Sequence, residues 1–435
     1  MKYSLVILFI FPFALKAQKV LSLDEAIATA LQNNYSILMS KNDSASLAID
    51  KSYVNAAFLP RLNGTASKVW SVNAQKQELA NGSKRDTSGL RSNNQTAAIN
   101  LNWTLFDGLK MFITKDRILA QNEIGPLAVK NQVINTVATV VNSYYNIVRQ
   151  KQQVKAIEYQ ITINQERVKL ADKKLSVGLG AKPELLQAKV DLNAQEALRL
   201  NQLASIEQLR QQLNQLMSLP LKTLYDVSDT IPLNTSLQYG DLENGLATGN
   251  PSLQIAQKNI DIAKLSLRER KAELFPTLNF NSAYNISQLR NKAVINTFTP
   301  LFNQNKGFNY GFSLTVPILN GFNTKRLIKQ AALDVQFQEL TYKNQLSVID
   351  LNLANVFEEY EQQKKALQLE EENILLAREN MNIAIERFRQ GVSTSLELRE
   401  AQKSLEDAFN RLIAARYTVK LAETELLRLK GELVK

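Results

Sequence analysis

The side chains that could do chemistry in this sequence are carboxylates and basic groups, because none of its 435 residues is histidine or cysteine. This composition excludes Ser-His-Asp and Cys-His nucleophile pairs, zinc sites built on imidazole or thiolate, and disulfides. The sequence also has no phosphate-binding loop of the G-x-x-x-x-G-K type. An enzyme would have to rely on carboxylates or lysines, so we expect neither catalysis nor a bound metal or cofactor.

Electrostatic chemistry remains possible where carboxylates share one helix face. Glu397 and Glu400 are three residues apart, a spacing that puts both on the same side of a helix. Taken alone, such a pair is also compatible with solvated surface charge. Lys+Arg 52 against Asp+Glu 41 gives a net charge of +11, but the basic residues are scattered and no dense basic tract is interleaved with aromatics. We therefore expect no nucleic-acid partner.

Long helices are the first kind of element that must position these groups. Gly 15 and Pro 10 are scarce for a chain of this length. Residues 127–175 contain neither, and an apolar residue recurs there every seven positions. This line comprises Val133, Val140, Ile147, Val154, Ile161, Val168 and Leu175. A strict seven-residue period predicts a long helix in a left-handed coiled coil, and a second helix that returns after a tight turn makes the pair antiparallel.

The sequence contains an internal repeat, so that its two halves match each other. Phe58 to Asn63 recurs as Leu274 to Asn279 at a shift of 216, and the heptad line recurs at a shift of 213 as Leu346, Leu353, Tyr360, Leu367, Ile374, Met381 and Phe388. We divide the chain into a first repeat (18–217), a connector (218–240) and a second repeat (241–435). Each repeat is expected to contain a helix, a β-hairpin (about 58–106 and about 275–318) and a long helix pair (about 112–217 and about 323–430). Turns at Gly178 and Gly391 join the helices of each pair.

Period-two alternation predicts the hairpins. One face of residues 308–318 carries aromatic and aliphatic side chains, and the other carries Asn, Gly, Ser and Thr. The strands, expected to be about ten residues long, suit a tilted crossing of a bilayer. Polar loops are expected at 76–95 and 288–307. A soluble packing of two sheets, with the apolar faces covering a core, is the alternative, and four strands alone cannot close a membrane barrel.

The first seventeen residues are expected to be a cleaved signal peptide, because Lys2 precedes an apolar run from Leu5 to Leu15 and Ala17 precedes the expected cut. Thereafter no segment reaches about 18 unbroken apolar residues. If the chain enters a membrane, it must do so as strands.

Together these features resemble the TolC-like outer-membrane efflux proteins. The resemblance covers nearly all of the chain after the signal segment. It rests on the opening phrase Leu21 to Ile27, the strand starts at Pro60 and Pro276, the turn Val316 to Gly321, and the phrase Arg387 to Gly391 with its continuation to Gln402, in duplicated order.

The resemblance implies a homotrimer. Its periplasmic α-barrel would be made of the long helices, and four strands per chain would build a 12-stranded outer-membrane β-barrel in contact with lipid. It also implies an exit duct of a tripartite system, exporting substrates delivered by an inner-membrane pump and a periplasmic adaptor. A periplasmic coiled-coil adaptor or structural scaffold is the alternative.

The resemblance also assigns roles to single residues. Glu397 and Glu400 match positions that line the constriction in relatives, Glu184 follows the first turn at the spacing of Glu397, and Gly178 and Gly391 mark the tips where the adaptor would dock. The relatives' gate uses a tyrosine and an arginine where this chain has Phe388 and Ser393, so a different latch is required. Candidates for that latch are Arg387, Arg389 and Lys182.

Overall fold

The computed structural model describes residues 20–294 and 298–433, so the predicted signal peptide lies outside the described residues. Two compact units are present. The helical unit contains the described residues up to Ser44, Pro126–Ile255 and the described residues from Lys343, and the strand unit contains Ala45–Gly125 and Ala256–Tyr342. Each unit takes residues from both sequence repeats. Halves that follow each other along the chain are therefore not the compact bodies in space.

The chain is mainly helical, as the sequence predicts. Before the connector it forms β1 (Val20–Leu21), α1 (Leu23–Asn33), α2 (Tyr35–Ser52), β2 (Arg61–Glu78), β3 (Lys84–Phe106), α3 (Lys110–Ser176) and α4 (Lys182–Leu216). It continues with β4 (Asp226–Val227), α5 (Tyr239–Gly249), α6 (Pro251–Ala272), β5 (Thr277–Asn291), β6 (Phe302–Thr315), α7 (Asn323–Arg389) and α8 (Ser395–Lys430). None of the helices in the described ranges combines the length and the apolar character needed to cross a membrane.

The opening helix of each repeat is divided in two, where the sequence predicted one helix. Asn34 lies between α1 and α2; its side-chain oxygen accepts from the Ser36 amide (3.0 Å), and its side-chain nitrogen donates to the Leu216 carbonyl (2.8 Å). Asn250 does the same between α5 and α6, with its side-chain nitrogen donating to the Leu429 carbonyl (2.9 Å). A buried asparagine thus caps one helix and satisfies the end of another, and this makes the break favourable.

Most positions of the two seven-residue lines are buried in the helical unit, whereas Val133, Val168, Leu175 and Leu346 are half-buried. In α7 the exposed fractions of Leu353, Tyr360 and Met381 are 1% or less. One face of α8 is buried as well, and it comprises Leu398, Ala401, Leu405, Ala408, Leu412, Ala415, Val419, Ala422, Leu426 and Leu429. Leucine alternating with alanine on one face allows close helix packing. The predicted lines are therefore core.

The connector (218–240) is packed within the helical unit. Its strand β4 pairs in parallel with β1, and Tyr144 of α3 joins the two, donating its hydroxyl to the Leu21 carbonyl (2.8 Å) and accepting from the Ser228 amide (3.1 Å). Lys151 of α3 binds Asp226 at 2.7 Å.

The strand unit contains one antiparallel sheet in the order β2-β3-β5-β6. The pairing of β3 with β5 joins the hairpins of the two repeats and puts Ile99 opposite Tyr284, and the pairing of β5 with β6 puts Tyr284 opposite Phe308. Side chains of like character therefore form rows across strands that are distant in sequence.

The strands are longer than the expected ten residues, with 18 in β2 and 23 in β3. The predicted loop 76–95 is wrong, because both strands continue through it to a tight turn at 79–83, and Lys76 is paired with Asp86 by an ion pair of 2.8 Å. The predicted loop 288–307 is also too long, since β5 extends to Asn291 and β6 begins at Phe302. Polar side chains on both faces suit a hairpin in water as well as a loop, because the backbone hydrogen bonds are satisfied by pairing.

Candidate functional site

Two turns join the long helices of the helical unit, and their backbones are alike. Gly178 at the first tip (177–183) and Gly391 at the second tip (390–395) both have φ +77°. Each glycine donates its amide to the carbonyl three residues earlier, at 3.1 Å in both cases. This left-handed helix end favours glycine. Nothing lies within 4 Å of a Cβ built at either glycine, so a side chain there would meet backbone strain and not crowding.

Apolar side chains are exposed at both tips. The exposed fraction is 82% for Leu179 at the first tip and 63% for Val392 at the second, and Leu396 beside the second tip is 62% exposed. Exposed apolar groups around a helix turn are a surface on which another protein can pack.

The helices that follow the tips begin differently. Thr394 caps α8 by accepting a hydrogen bond from the Glu397 amide at 3.2 Å. The equivalent residue before α4 is Ala181, which has no side-chain acceptor, and Pro183 stands in the first turn instead. The second tip therefore has a capped helix start that the first tip lacks.

The predicted glutamates lie at these helix starts. Glu397 is about half exposed, and its carboxylate is 3.8 Å from the Arg387 guanidinium. Glu400 is exposed one turn further along α8, and Glu184 is half-buried at the position of α4 equivalent to Glu397. Glu397 and Glu400 thus share the first turns of one helix, whereas Glu184 belongs to the other helix pair.

One lysine that the sequence analysis missed links the helices next to the tips. Lys174, near the end of α3, donates to the Phe388 carbonyl of α7 (3.0 Å), and its ammonium lies 3.9 Å from the centre of the Phe388 ring. Phe388 is only 2% exposed. The contact combines a charged hydrogen bond with a cation–π interaction. Because Lys174 and Arg387 are related by the shift of 213, comparing the repeats could have drawn attention to it.

The three basic residues named as latch candidates behave differently from one another. Arg389 reaches from α7 to Glu166 of α3 at 3.2 Å, so it also links the two repeats. Arg387 pairs with Glu397 across its own tip. Lys182 is exposed and forms no salt bridge within the described part of the chain. The hydroxyl of Ser393 is buried and has no hydrogen-bond partner among residues 20–294 and 298–433.

A buried polar network lies further along the same helices. Arg167 of α3 donates to Asp191 of α4 (3.2 Å) and to the side chain of Gln402 of α8 (2.8 Å), and Asn164 accepts from both Arg167 and Gln402. Burial lowers the pKa of the Arg167 guanidinium, and Asp191 acts in the opposite direction. Three helices from both repeats are joined at this point, with the charge compensated.

The strand unit has one apolar and one polar face. On the apolar face Phe308, Tyr310 and Phe312 are 66%, 73% and 69% exposed. On the other face polar side chains meet, as where Thr104 donates to Asn279 at 3.0 Å. The apolar row therefore has no protein covering within the described residues of one chain.

Comparison with known proteins shows which family and which individual proteins this chain resembles. The profile of the outer membrane efflux protein family matches residues 26–219 and 244–432. The alkaline protease secretion protein AprF of Pseudomonas aeruginosa is 20% identical over 91% of this chain and 82% of its own length. The outer membrane protein TolC of Vibrio cholerae is 24% identical over 95% of this chain and 91% of its own. The crystal structure of the outer membrane protein VceC of Vibrio cholerae superposes with a TM-score of 0.75 at 15% identity, covering 94% of this chain and 96% of that one.

Proposed function

The chain belongs to the outer membrane efflux protein family, and from that premise we propose that it is the exit duct of a tripartite efflux or secretion system. It is an outer-membrane protein with its helical part in the periplasm, and it is not an enzyme. A duct contributes a lumen and a gate, so an inner-membrane pump must supply the energy and a periplasmic adaptor must connect the two.

The observation that carries the proposal is the exposed apolar face of the sheet. A soluble two-sheet packing would cover Phe308, Tyr310 and Phe312, whereas all three are mainly exposed here. Large exposed apolar surface on a sheet whose opposite face is polar suits strands with lipid on one side and a water-filled lumen on the other.

The open edges of the sheet support a trimer. β2 and β6 each pair on one side only among the described strands. Within a bilayer an unpaired strand edge leaves backbone groups unsatisfied, so the edges of neighbouring copies must pair. Three copies of four strands give the 12-stranded barrel that the family resemblance implies.

The tips support the other two roles. Gly178 and Gly391 would be the docking points of the adaptor, because both turns present exposed apolar side chains. Glu397 and Glu400, repeated in three chains, would form a cation-attracting constriction ring, with Glu184 as a further member. In place of the relatives' tyrosine and arginine, Lys174 and Arg389 would hold α3 and α7 together beside the tips.

The periplasmic adaptor or scaffold that the sequence left open is disfavoured by the family and by the uncovered sheet face. A scaffold predicts a protein that is soluble without detergent. A duct predicts heat-modifiable trimers that only detergent extracts from outer membranes.

The facing of the strands gives the sharpest test of the proposal. Leu314→Arg puts a charge on the apolar face and is expected to cost about 2–4 kcal/mol per chain and to block insertion of the trimer. Ser313→Arg, one residue away on the polar face, should be tolerated. The measurement is the yield of heat-modifiable trimer in outer-membrane fractions. Equal yields of the two variants would contradict the duct.

A further inference from the structure

We propose that the outward face of the sheet binds the phosphate group of a membrane lipid at a cluster of three basic and two aromatic side chains. This basic–aromatic cluster consists of Arg91, Arg290, Lys292, Trp70 and Phe302, which line one cavity of about 730 Å³ on the strand unit. The inference rests on the proposed function, because it takes the apolar face to be the lipid-facing one.

Strand register puts the cluster on that apolar face. Arg91 is eight residues from Ile99 along β3, and an even separation on a regular strand keeps side chains on one face. Arg290 is six residues from Tyr284 along β5, again an even number, and it pairs with Phe302 of β6. The described strands show no bulge between these positions in the pairing of β3 with β5. All of them therefore face the same side as the aromatic rows.

The position along the strands is that of a lipid headgroup. The cluster lies toward the end of the sheet where β2 turns into β3 at 79–83, where β5 ends at Asn291 and where β6 begins at Phe302. Arg290 is four residues beyond Ile286, the last apolar side chain of its row, which corresponds to about 13 Å along the strand. Between them lies a row of amides, with Gln95 opposite Gln288 and Gln288 opposite Gln304. Along β5 the side chains on this face thus change from apolar at Ile286 through amide at Gln288 to basic at Arg290.

The chemistry of the cluster fits a phosphate. None of its three basic side chains forms a salt bridge within residues 20–294 and 298–433, and no acidic residue lines the cavity. Arginine guanidinium groups bind phosphate oxygens in a bidentate manner, and lysine adds a point charge. Trp70 and Phe302 supply the ring surfaces that are enriched at membrane interfaces. The Arg290 guanidinium lies 5.3 Å from the centre of the Phe302 ring.

The backbone around the cluster is fixed by hydrogen bonds across the strand ends. The Lys292 amide donates to the Arg91 carbonyl at 2.8 Å, and the Asn291 amide donates to the Leu301 carbonyl at the same distance. The side-chain oxygen of Asn93 is buried in the cavity without a partner among the described residues, so it can accept from a hydroxyl group of the same lipid.

The test uses the full-length protein in neutral detergent and follows the fluorescence of Trp70 in a Trp103→Phe background, since the chain has only two tryptophans. Diphosphoryl lipid A should shift the Trp70 emission, and the same lipid without its phosphates should not. The triple variant R91Q/R290Q/K292Q should bind diphosphoryl lipid A roughly a hundredfold more weakly, since each basic residue is expected to contribute about fivefold to the affinity. The matched control K169Q/K173Q/K189Q removes the same charge from exposed lysines of the helical unit and should bind like the parent.

Three outcomes would overturn the inference: equal binding by the triple variant and the parent, equal binding of the dephosphorylated lipid, or an equal shift with inorganic phosphate alone. Lipid phosphorus that copurifies with each protein gives a second measurement that does not depend on fluorescence. Channel conductance separates this inference from the proposed function. A parent protein that conducts but does not bind the phosphorylated lipid refutes only the lipid site, whereas a parent that neither inserts nor conducts refutes the duct.

Discussion

The first and second tips have the same backbone but different chemistry. Gly178 and Gly391 have identical φ values and equivalent hydrogen bonds. Around them the first tip has an uncapped helix start at Ala181, whereas the second has the Thr394 cap and the Glu397–Arg387 pair. Duplication has thus kept the turn and varied the side chains.

The difference indicates which property of a tip is shared and which is not. The shape of the turn depends on a left-handed backbone conformation that glycine adopts without strain, and both copies have glycine at this position. Charge depends on side chains that are free to vary on an exposed surface. If the adaptor docks on the turns as proposed, we expect docking to involve both tips and ion selection to depend mainly on the second.

The largest effect is expected from tryptophan at either turn. Gly391→Trp and Gly178→Trp should each abolish efflux while trimers remain in the outer membrane, because the bulky group would cover the proposed docking surface. Gly82→Trp is a matched control: its φ is +78° and the space around it is also open, but it lies in the β2–β3 turn. Growth in the presence of an exported compound measures the effect. Loss of efflux for only one of the two tips would show that docking is not shared.

Removing charge at the second tip should change selectivity and leave folding intact. In the Glu397→Gln/Glu400→Gln variant we expect single channels in planar bilayers to lose most of their cation preference, because the charge of the proposed ring is removed while side-chain size and hydrogen bonding are kept. Glu184→Gln should have a smaller effect, since that residue is half-buried at the first tip. Reversal potentials in a salt gradient give the measurement. An unchanged reversal potential in the double variant would return both glutamates to ordinary surface charge.

The contact between α3 and α7 beside the tips should depend on Lys174 and not on Arg387, its counterpart in the second repeat. Lys174→Met removes the hydrogen bond to the Phe388 carbonyl and the cation–π contact, at a cost of about 1–2 kcal/mol in local stability. Arg387→Met removes an exposed ion pair with Glu397 and should cost less than about 0.5 kcal/mol. Hydrogen exchange at the end of α7 reports the difference. Similar exchange in both variants would mean that Lys174 does not hold this helix end.

The smallest effect is expected from the caps. Thr394→Ala should weaken the start of α8 by about 1 kcal/mol, and Ala181→Thr should strengthen the start of α4 by a similar amount. Hydrogen exchange in the first turn of each helix measures both changes. If the two helix starts responded in the same direction, the difference in capping between the tips would have no energetic meaning.

Much of the architecture could be predicted from local patterns. The seven-residue lines, buried here as in Tyr360 and Met381, are a property of one helix and need no knowledge of the partner. The glycine turns were equally predictable, because a left-handed helix end has few alternatives to glycine. The exact strand ends were not predictable. Lys76 and Asp86 look like loop residues until cross-strand pairing makes them neighbours.

By itself, then, the sequence determined the duplication, the long helices, the two faces of the strands and the positions of the tips. Only the tertiary structure decided that β3 pairs with β5, that Lys174 meets Phe388, and that Arg91 and Arg290 share a cavity. The reason is the range of the interactions. Periodicity and backbone conformation are set within a few residues, whereas these contacts join segments about 200 residues apart. Their partners are selected by register and packing over the whole fold, which no local pattern records.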